Sequence, residues 1–193
     1  MNFIETLYSI DFAILDFIQN TIKCVFLDYL MTFFSSIGNA GIIWIITALI
    51  MMCFKKTRAT GAMMACALLL GVLIGEVGIK NIVARERPFV VNTDILLNIA
   101  QPSGYSFPSG HTCSSFAAAT TLFMNNKKIG IGAYIIASLI AFSRLYNYVH
   151  FPSDILCGII LGITVAIITV SIFRKTGLDT KLSGNLKCKK ELK

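Results

Sequence analysis

The sequence predicts an all-α polytopic membrane protein, a six-helix transmembrane bundle preceded by an amphipathic helix. Hydrophobic residues make up 55% of the 193 residues, and charged residues make up only 14%, against about 25% in an average soluble domain. The mean hydropathy of +0.74 points the same way. A soluble chain this short cannot bury so much apolar surface in one core, so a water-soluble monomer is excluded. The length leaves room for one domain with about six crossings of roughly 20 residues each.

The first predicted element covers residues 1–22. Apolar residues recur there at helical spacing: Leu7, Ile10, Ile14, Phe17 and Ile18. Three acidic side chains interrupt any spanning run: Glu5, Asp11 and Asp16. We therefore expect an amphipathic helix that lies in the membrane interface rather than a crossing.

The next element is a charge-free run over residues 29–54, which is longer than one ordinary crossing needs. A turn-like cluster of small and polar residues interrupts this run at residues 35–41. We therefore predict a hairpin of two crossings, over about residues 23–37 and 41–54. The alternative is one long tilted helix.

Four further charge-free runs predict the remaining crossings and complete a membrane domain over residues 23–174: 59–75, 112–126, 129–143 and 155–173. Twelve of the 17 basic residues fall in the two loops 55–58 and 125–128 or after residue 173. If the segments alternate, these residues share one side of the membrane, which the positive-inside rule identifies as cytoplasmic. We therefore predict a multi-pass protein of the cell membrane whose basic tail, residues 175–193, is cytoplasmic and close to anionic lipid.

The net charge of +7 does not predict nucleic-acid binding, because the segment after residue 173 holds seven basic residues against two acidic ones. Six cysteines are scattered without a C-x-x-C pair, and the chain has two histidines. We expect these cysteines to be small packing residues rather than disulfides or zinc ligands. The sequence therefore predicts no metal site and no cofactor, and nothing in it indicates an obligate protein partner.

Four cations break the charge rule and lie on the opposite, outer side: Lys80, Arg85, Arg87 and Arg144. They belong to, or flank, three blocks that contain both histidines. The blocks are Lys-x6-Arg-Pro from Lys80, Pro-Ser-Gly-His ending at His111, and Ser-Arg-x5-His-x3-Asp ending at Asp154. Each block falls at the outer end of a predicted crossing, so a compact bundle brings them together at the membrane surface. Cations and imidazoles that converge there form a natural site for a phosphate dianion.

These three blocks, complete and in order from residue 80 to residue 154, resemble the signature motifs of the type 2 phosphatidic acid phosphatase superfamily. The resemblance extends over roughly residues 25–174. It implies a six-helix membrane enzyme that removes phosphate from lipid phosphates or lipid pyrophosphates without a metal.

The resemblance assigns His150 as the nucleophile, a role that suits a neutral imidazole with a free lone pair. Asp154 is expected to orient that ring, and His111 is expected to protonate the leaving oxygen. The phosphate oxygens are expected to bind three cations and the start of a helix: Lys80, Arg87, Arg144, Ser109 and Gly110. Arg85 matches no required family position and is predicted to be a rim charge or a contact to a second phosphate. Glu76 precedes Lys80 by one helical turn and is predicted to be its ion-pair partner.

An outward-facing site suits a lipid whose phosphate head lies at the surface while its tail stays in the bilayer. By similarity to small bacterial relatives, the sequence predicts hydrolysis of undecaprenyl pyrophosphate to undecaprenyl phosphate and phosphate through a phosphohistidine. Phosphatidylglycerol phosphate and phosphatidate are the alternative substrates, because the motifs recognise the phosphate group and not the lipid tail. The linker over residues 89–107 is expected to border the entrance. A membrane protein that binds lipid phosphate without turnover is the remote alternative, and the presence of both His150 and Asp154 argues against it.

Overall fold

The computed structural model describes residues 3–182 and Gly184, and all regular structure among these residues is helical. The α-helices of this described part are α1 (Phe3–Phe17), α2 (Val25–Ile37), α3 (Ile42–Cys53), α4 (Arg58–Gly71), α5 (Lys80–Val83), α6 (Pro88–Val91), α7 (Gly110–Asn125), α8 (Lys127–Tyr146), α9 (Pro152–Thr176) and α10 (Leu178–Leu182). π-helical segments Ile18–Ile22 and Val72–Ile79 extend α1 and α4, and a 3₁₀ turn Asn39–Gly41 separates α2 from α3. The predicted all-α class is confirmed for these residues.

Three described segments are long and apolar enough to cross a membrane: Arg58–Val91, Lys127–Tyr146 and Pro152–Thr176. Helices α2 and α3 pass the same test only as a joined pair, and this pair is bent by 45° at its break. By length and composition, the described residues therefore contain three or four candidate spans. The six predicted crossings are not confirmed.

The break between α2 and α3 lies at the predicted turn cluster, but the chain bends there instead of reversing. Ala40 (φ 50°) and Gly41 (φ 66°) adopt left-handed backbone conformations at the break, which end the regular helix. A hairpin needs antiparallel axes, whereas a bend of 45° keeps both helices running in the same general direction. The structure thus replaces the predicted hairpin of two crossings by one bent segment, which is nearer to the alternative of a single long helix.

Helix α1 has two distinct faces. Its outward face exposes four large apolar side chains: Ile4, Ile10, Ile14 and Phe17. Its packed face buries Asp11 and Leu15, and Leu15 contacts Tyr148 and Phe151 immediately before α9. An apolar outer face combined with a buried acid is unlike an ordinary surface helix. The location of residues 1–22 in the membrane interface stays a prediction.

Helix α7 is the centre of the bundle and packs against α4, α8 and α9. Three consecutive small residues of α7 are fully buried: Ala117, Ala118 and Ala119. Gly162 of α9 allows a close approach to α7, because a Cβ atom there would lie 2.4 Å from the Cys113 carbonyl oxygen. Packing on small residues is the usual way that helices associate in lipid. This packing holds the first turns of α7 and α9 side by side, and those turns contain the end of the second block and the end of the third block.

The predicted basic tail is described only in part. Helix α9 ends at Gly177, whose left-handed backbone (φ 71°) is the common helix stop, and α10 follows it. Residue 183 and residues 185–193, with most of the predicted tail, lie outside the described residues.

Candidate active site

The three sequence blocks meet around one cavity of about 430 Å³. Its lining includes six of the predicted site residues: Lys80, Arg87, Gly110, His111, Arg144 and His150. Glu76 lines it as well, so an acid lies among the cations. The structure therefore brings together residues that are up to 70 positions apart in the chain.

His150 and Asp154 face each other across the start of α9. Asp154 belongs to the first turn of this helix, and its Oδ2 atom accepts a hydrogen bond of 2.8 Å from the backbone N–H of Phe151. Nδ1 of His150 lies 3.4 Å from the same oxygen. This contact is electrostatic, because Nδ1 has no well-aligned hydrogen-bond partner among the described residues. Pro152 at the helix start fixes the local backbone and so helps to set the spacing between the two side chains.

The two ring nitrogens of His150 have different neighbours. Nη1 of Arg87 lies 3.3 Å from Nε2 of His150. A guanidinium has only donors, so Nε2 must hold a lone pair and the ring proton lies on Nδ1, facing Asp154. We assign this tautomer from those neighbours. The ring therefore presents an unshared electron pair on the edge opposite Asp154, as a nucleophile requires.

The charge state of His150 follows from its surroundings. Burial, which leaves 2% of the residue exposed, lowers the pKa of His150 to about 3. Asp154 opposes this lowering of the pKa, whereas the positive charges of Arg87 and Arg144 add to it. The imidazole is therefore neutral at physiological pH.

Arg87 is held in place by backbone carbonyl groups. Nε donates to Gly104 O at 2.9 Å, Nη1 to Val149 O at 2.9 Å, and Nη2 to Ser103 O at 3.2 Å. Two of these carbonyls belong to the linker over residues 89–107, which the sequence predicts to border the entrance. These neutral acceptors orient the guanidinium and leave its charge uncompensated by any carboxylate within 4.0 Å among the described residues.

Arg144 is a buried cation that also lacks a carboxylate within 4.0 Å in the described part of the chain. The residue is 2% exposed, and Nη1 donates to the Ser35 hydroxyl of α2. Its Nε atom has no hydrogen-bond partner among the residues that the structure describes. A buried charge without a counter-ion is costly, so this arrangement favours an anionic ligand beside Arg144.

The predicted ion pair between Glu76 and Lys80 is confirmed. Nζ of Lys80 lies 2.7 Å from each carboxylate oxygen of Glu76, in the π-helical extension of α4 and the turn that follows it. Gly110 contacts this pair, because a Cβ atom at that position would lie 2.1 Å from Oε1 of Glu76. The glycine of the second block thus leaves room for the pair at the start of α7.

His111 and Ser109 have different positions at the start of α7. Nε2 of His111 lies 3.0 Å from Oδ1 of Asn39, in the bend between α2 and α3, so the ring nitrogen donates to the amide oxygen. Ser109 caps α7, with its fully buried Oγ 3.5 Å from the Thr112 amide nitrogen. Ser109 therefore lies behind the cavity, where its oxygen supports the helix start.

Arg85 is not part of the cavity lining. Its Nη2 atom lies 2.7 Å from Oδ2 of Asp11, and its Nη1 atom lies 2.8 Å from Oδ1 of Asp154. The residue is 9% exposed. Arg85 is therefore not a rim charge, and the predicted contact with a second phosphate finds no support in this geometry.

Four side chains that hold the site were not predicted from the sequence: Asp11, Ser35, Asn39 and Ser106. An acidic residue in an apolar helix indicates a functional role, and Asp11 is such a residue. Ser35 and Asn39 lie in the turn cluster, where polar residues have many ordinary explanations. Ser106 donates to Oδ2 of Asp154 from the linker, and no local pattern marks it.

An apolar groove of about 260 Å³ runs between α3 and α4. It is lined by residues such as Ile45, Leu49 and Leu69. The groove and the polar cavity share four lining residues: Ala40, Gly41, Val72 and Ser114. The apolar groove therefore lies directly beside the cationic cavity.

The cavity presents cations and imidazoles rather than a set of metal ligands. Among the described residues, no group of three or more His, Cys, Asp and Glu side chains is placed to hold a metal ion. The side chains that are present suit the oxygens of a phosphate group.

The chain matches a known family and is similar to characterised proteins. A model described as the PAP2 superfamily matches residues 58–178, which contain all three blocks. The chain is 35% identical over 163 residues to an undecaprenyl-diphosphatase of Sulfolobus acidocaldarius, in a match that covers 83% of this chain and 77% of that protein.

Two solved structures are also similar. LpxE of Aquifex aeolicus superposes with a TM-score of 0.75 at 27% identity, over 84% of this chain and 95% of that one. A transmembrane PAP2-type phosphatidylglycerolphosphate phosphatase of Bacillus subtilis superposes with a TM-score of 0.72 at 27% identity, over 88% of this chain and 87% of that one.

Proposed function

The chain belongs to the PAP2 superfamily, and we propose that it hydrolyses undecaprenyl pyrophosphate to undecaprenyl phosphate and inorganic phosphate. The observation that carries the proposal is the position of the apolar groove directly beside the cationic cavity, with four lining residues in common, which fits one lipid with a phosphorylated head. The relative named undecaprenyl-diphosphatase, which is 35% identical over most of the chain, supports this choice among lipid phosphates.

In the proposed first step, Nε2 of His150 attacks the terminal phosphorus of the pyrophosphate. The bond from that phosphorus to the bridging oxygen breaks, and its electron pair stays with the oxygen. His111 gives a proton to that oxygen, and undecaprenyl phosphate leaves. The phosphoryl group is then bound to His150, and the ring carries a positive charge that the Asp154 carboxylate stabilises.

In the proposed second step, a water molecule attacks the same phosphorus. His111 now takes a proton from the water, the P–N bond breaks, and its electron pair returns to Nε2 of His150. Inorganic phosphate leaves, and both histidines regain their starting states. Lys80, Arg87 and Arg144 would bind the non-bridging oxygens in both steps, where the charge of the transition state is spread.

Phosphatidylglycerol phosphate or phosphatidate is the second candidate for the substrate. The structural similarity to the phosphatidylglycerolphosphate phosphatase of Bacillus subtilis favours it specifically. The two candidates share the phosphate chemistry and differ in the leaving group. A pyrophosphate releases an oxygen that its own phosphate stabilises, whereas a phosphate monoester releases an alkoxide.

The site is proposed to face away from the cytoplasm. This follows from the basic loops at residues 55–58 and 125–128, which lie at the opposite ends of α4 and α7 from the cavity. In a cysteine-free variant in intact cells, an impermeant thiol reagent should label Thr93→Cys in the linker and should not label Lys56→Cys. The reverse pattern would overturn this orientation.

The substrate is tested by phosphate release from the detergent-purified protein in mixed micelles. We expect kcat/KM to be higher for undecaprenyl pyrophosphate, or for a shorter polyprenyl pyrophosphate, than for phosphatidylglycerol phosphate and phosphatidate. A His150→Ala variant purified in the same way controls for contaminating phosphatases. A higher kcat/KM for phosphatidylglycerol phosphate would make the second candidate correct.

A further inference from the structure

Arg85 lies at the centre of a buried charge cluster that joins the N-terminal helix to the first turn of α9. Nη1 of Arg85 lies 2.8 Å from Oδ1 of Asp154 and 2.7 Å from Oγ of Ser153. Nη2 of Arg85 lies 2.7 Å from Oδ2 of Asp11. Asp11, Arg85 and Asp154 expose only 1%, 9% and 0% of their surfaces. Three charged groups are therefore removed from solvent together.

The guanidinium of Arg85 is almost fully used by these contacts. Its Nε atom also donates to the Tyr8 hydroxyl at 3.3 Å, so four of its five N–H groups have partners within the protein. The guanidinium carbon lies 3.9 Å from the centre of the Phe151 ring and 4.4 Å from that of Tyr8. Aromatic packing of this kind stabilises a desolvated cation. Little of Arg85 is left to contact a substrate.

The two oxygens of Asp154 are bound by different groups. Oδ1 faces Arg85, while Oδ2 accepts from the Ser106 hydroxyl and the Phe151 amide and faces Nδ1 of His150. Arg85 therefore fixes the rotation of the carboxylate together with Ser106 and the Phe151 amide, and so helps to set the oxygen that is presented to the imidazole.

Asp11 holds the arginine from the other side. Its Oδ1 atom accepts from the Ser153 backbone N–H at 3.0 Å, and its Oδ2 atom accepts from the Ser153 hydroxyl at 2.6 Å in addition to Arg85. Helix α1 is thus bonded to the first turn of α9. Because two carboxylates share one guanidinium, the cluster keeps a net negative charge, which suits an imidazole that becomes positive during the reaction.

We propose that Arg85, held by Asp11 of helix α1, is a positioning residue that fixes the Asp154 carboxylate against His150. The N-terminal helix is then part of the catalytic architecture and not only a membrane contact. The catalytic consequence rests on the proposed function, in which His150 attacks phosphorus. The structural consequence, a fixed Asp154 oxygen beside Nδ1 of His150, does not depend on any substrate.

The structural consequence is tested by NMR of the ring nitrogens in protein labelled with ¹⁵N-histidine, with the two histidines distinguished by a His111→Asn variant. In the unaltered protein, the His150 signals should be well separated, with a protonated Nδ1 and an unprotonated Nε2. Arg85→Gln should shift the His150 Nδ1 signal, because the carboxylate oxygen that faces this nitrogen is no longer held in place, and should leave the Nε2 signal, which lies beside Arg87, and the His111 signals nearly unchanged. Arg58→Gln removes an arginine that bonds only the Met52 carbonyl among the contacts described and should change neither set.

The catalytic consequence is tested with the lipid that the protein hydrolyses best. Arg85→Gln should lower kcat about 10- to 100-fold, the effect of losing a hydrogen bond to a charged group. KM and inhibition by inorganic phosphate should change less than about threefold, since a positioning residue does not bind the ground state. Arg85→Lys keeps the charge without the forked geometry and should give an intermediate kcat.

Asp11→Asn provides the same readouts if Arg85→Gln does not fold, and it should shift them in the same direction by a smaller amount. Asp16→Asn is its matched control, because Asp16 is an exposed acid of α1 whose described partner is the Tyr148 hydroxyl. Unchanged His150 signals together with weaker inhibition by phosphate would show that Arg85 binds substrate and would overturn the inference. If the unaltered protein hydrolyses no lipid phosphate, the proposed function fails, while the NMR signals still decide the role of Arg85.

Discussion

Nη1 of Arg87 lies 3.3 Å from Nε2 of His150, so the nitrogen that is proposed to attack phosphorus lies beside a group that is proposed to bind the phosphoryl oxygens. Backbone carbonyls hold Arg87 in this position, and burial keeps His150 neutral. Anion binding and nucleophile are therefore combined within one hydrogen-bond distance.

The stability of the protein should depend on pH through His150. The folded-state pKa of about 3 lies below the ordinary value of 6.5, so the unfolded chain binds more protons between these values. This contribution to stability is fully present above pH 6.5 and is lost as the pH falls toward 3, by about 1.4 kcal/mol per pH unit. Between pH 7 and pH 4, the Tm in detergent should therefore fall more for the unaltered protein than for His150→Gln. Parallel Tm curves would contradict the assigned pKa.

Arg144 should contribute to phosphate binding at the expense of stability. Arg144→Met removes a buried cation without a counter-ion, so the Tm should stay the same or rise, while kcat/KM falls about 10²- to 10³-fold. Inorganic phosphate should raise the Tm of the unaltered protein and should have little effect on this variant. Arg174→Met, at the opposite end of α9, is the control and should keep the response to phosphate. An equal phosphate response in Arg144→Met would show that Arg144 is not a ligand.

The close contact of α7 with α9 should make Gly162 intolerant of a side chain. A Cβ atom there would meet the backbone of α7 at 2.4 Å, so Gly162→Ala should destabilise the fold by about 1–3 kcal/mol. A Cβ atom on Gly132 of α8 would meet no described atom within 4 Å outside the adjacent backbone of its own helix, so Gly132→Ala should be neutral or stabilising. Thermal unfolding of both variants in one detergent decides this, and equal Tm values would show that the helices are not so closely packed.

The activity should survive removal of metal ions. Three side-chain cations are proposed to neutralise the phosphate, so EDTA should leave the rate of phosphate release nearly unchanged. The measurement compares EDTA-treated protein with the same sample after addition of excess Mg²⁺. A complete loss in EDTA that Mg²⁺ restores would rule out the proposed mechanism.

Sequence patterns predicted the parts of the site that depend on local spacing. Glu76 and Lys80 are one helical turn apart, and their ion pair formed although that turn is π-helical. The grouping of His111 and His150 could be predicted because each lies at the same end of its predicted crossing. Family resemblance supplied their roles, which spacing alone does not give.

Other features depend on contacts that no local pattern contains. Asp11 and Arg85 are 74 residues apart, and only the packing of α1 against α9 makes them partners. The bend between α2 and α3 was placed correctly, but composition does not reveal whether a turn cluster reverses a chain or kinks it. The Ser109 hydroxyl is a suitable ligand for a phosphate oxygen. At the start of α7, however, this oxygen caps the helix.

Trapping the covalent intermediate during a single turnover tests whether His150 is the nucleophile. The substrate is a polyprenyl pyrophosphate labelled in its terminal phosphate, and the reaction is stopped with denaturant under alkaline conditions. We expect label on the protein that is stable to base and labile to acid, absent from His150→Ala, and longer-lived in His111→Ala. Release of labelled phosphate with no labelled protein at any time, or equal labelling of His150→Ala, would show that His150 is not the nucleophile.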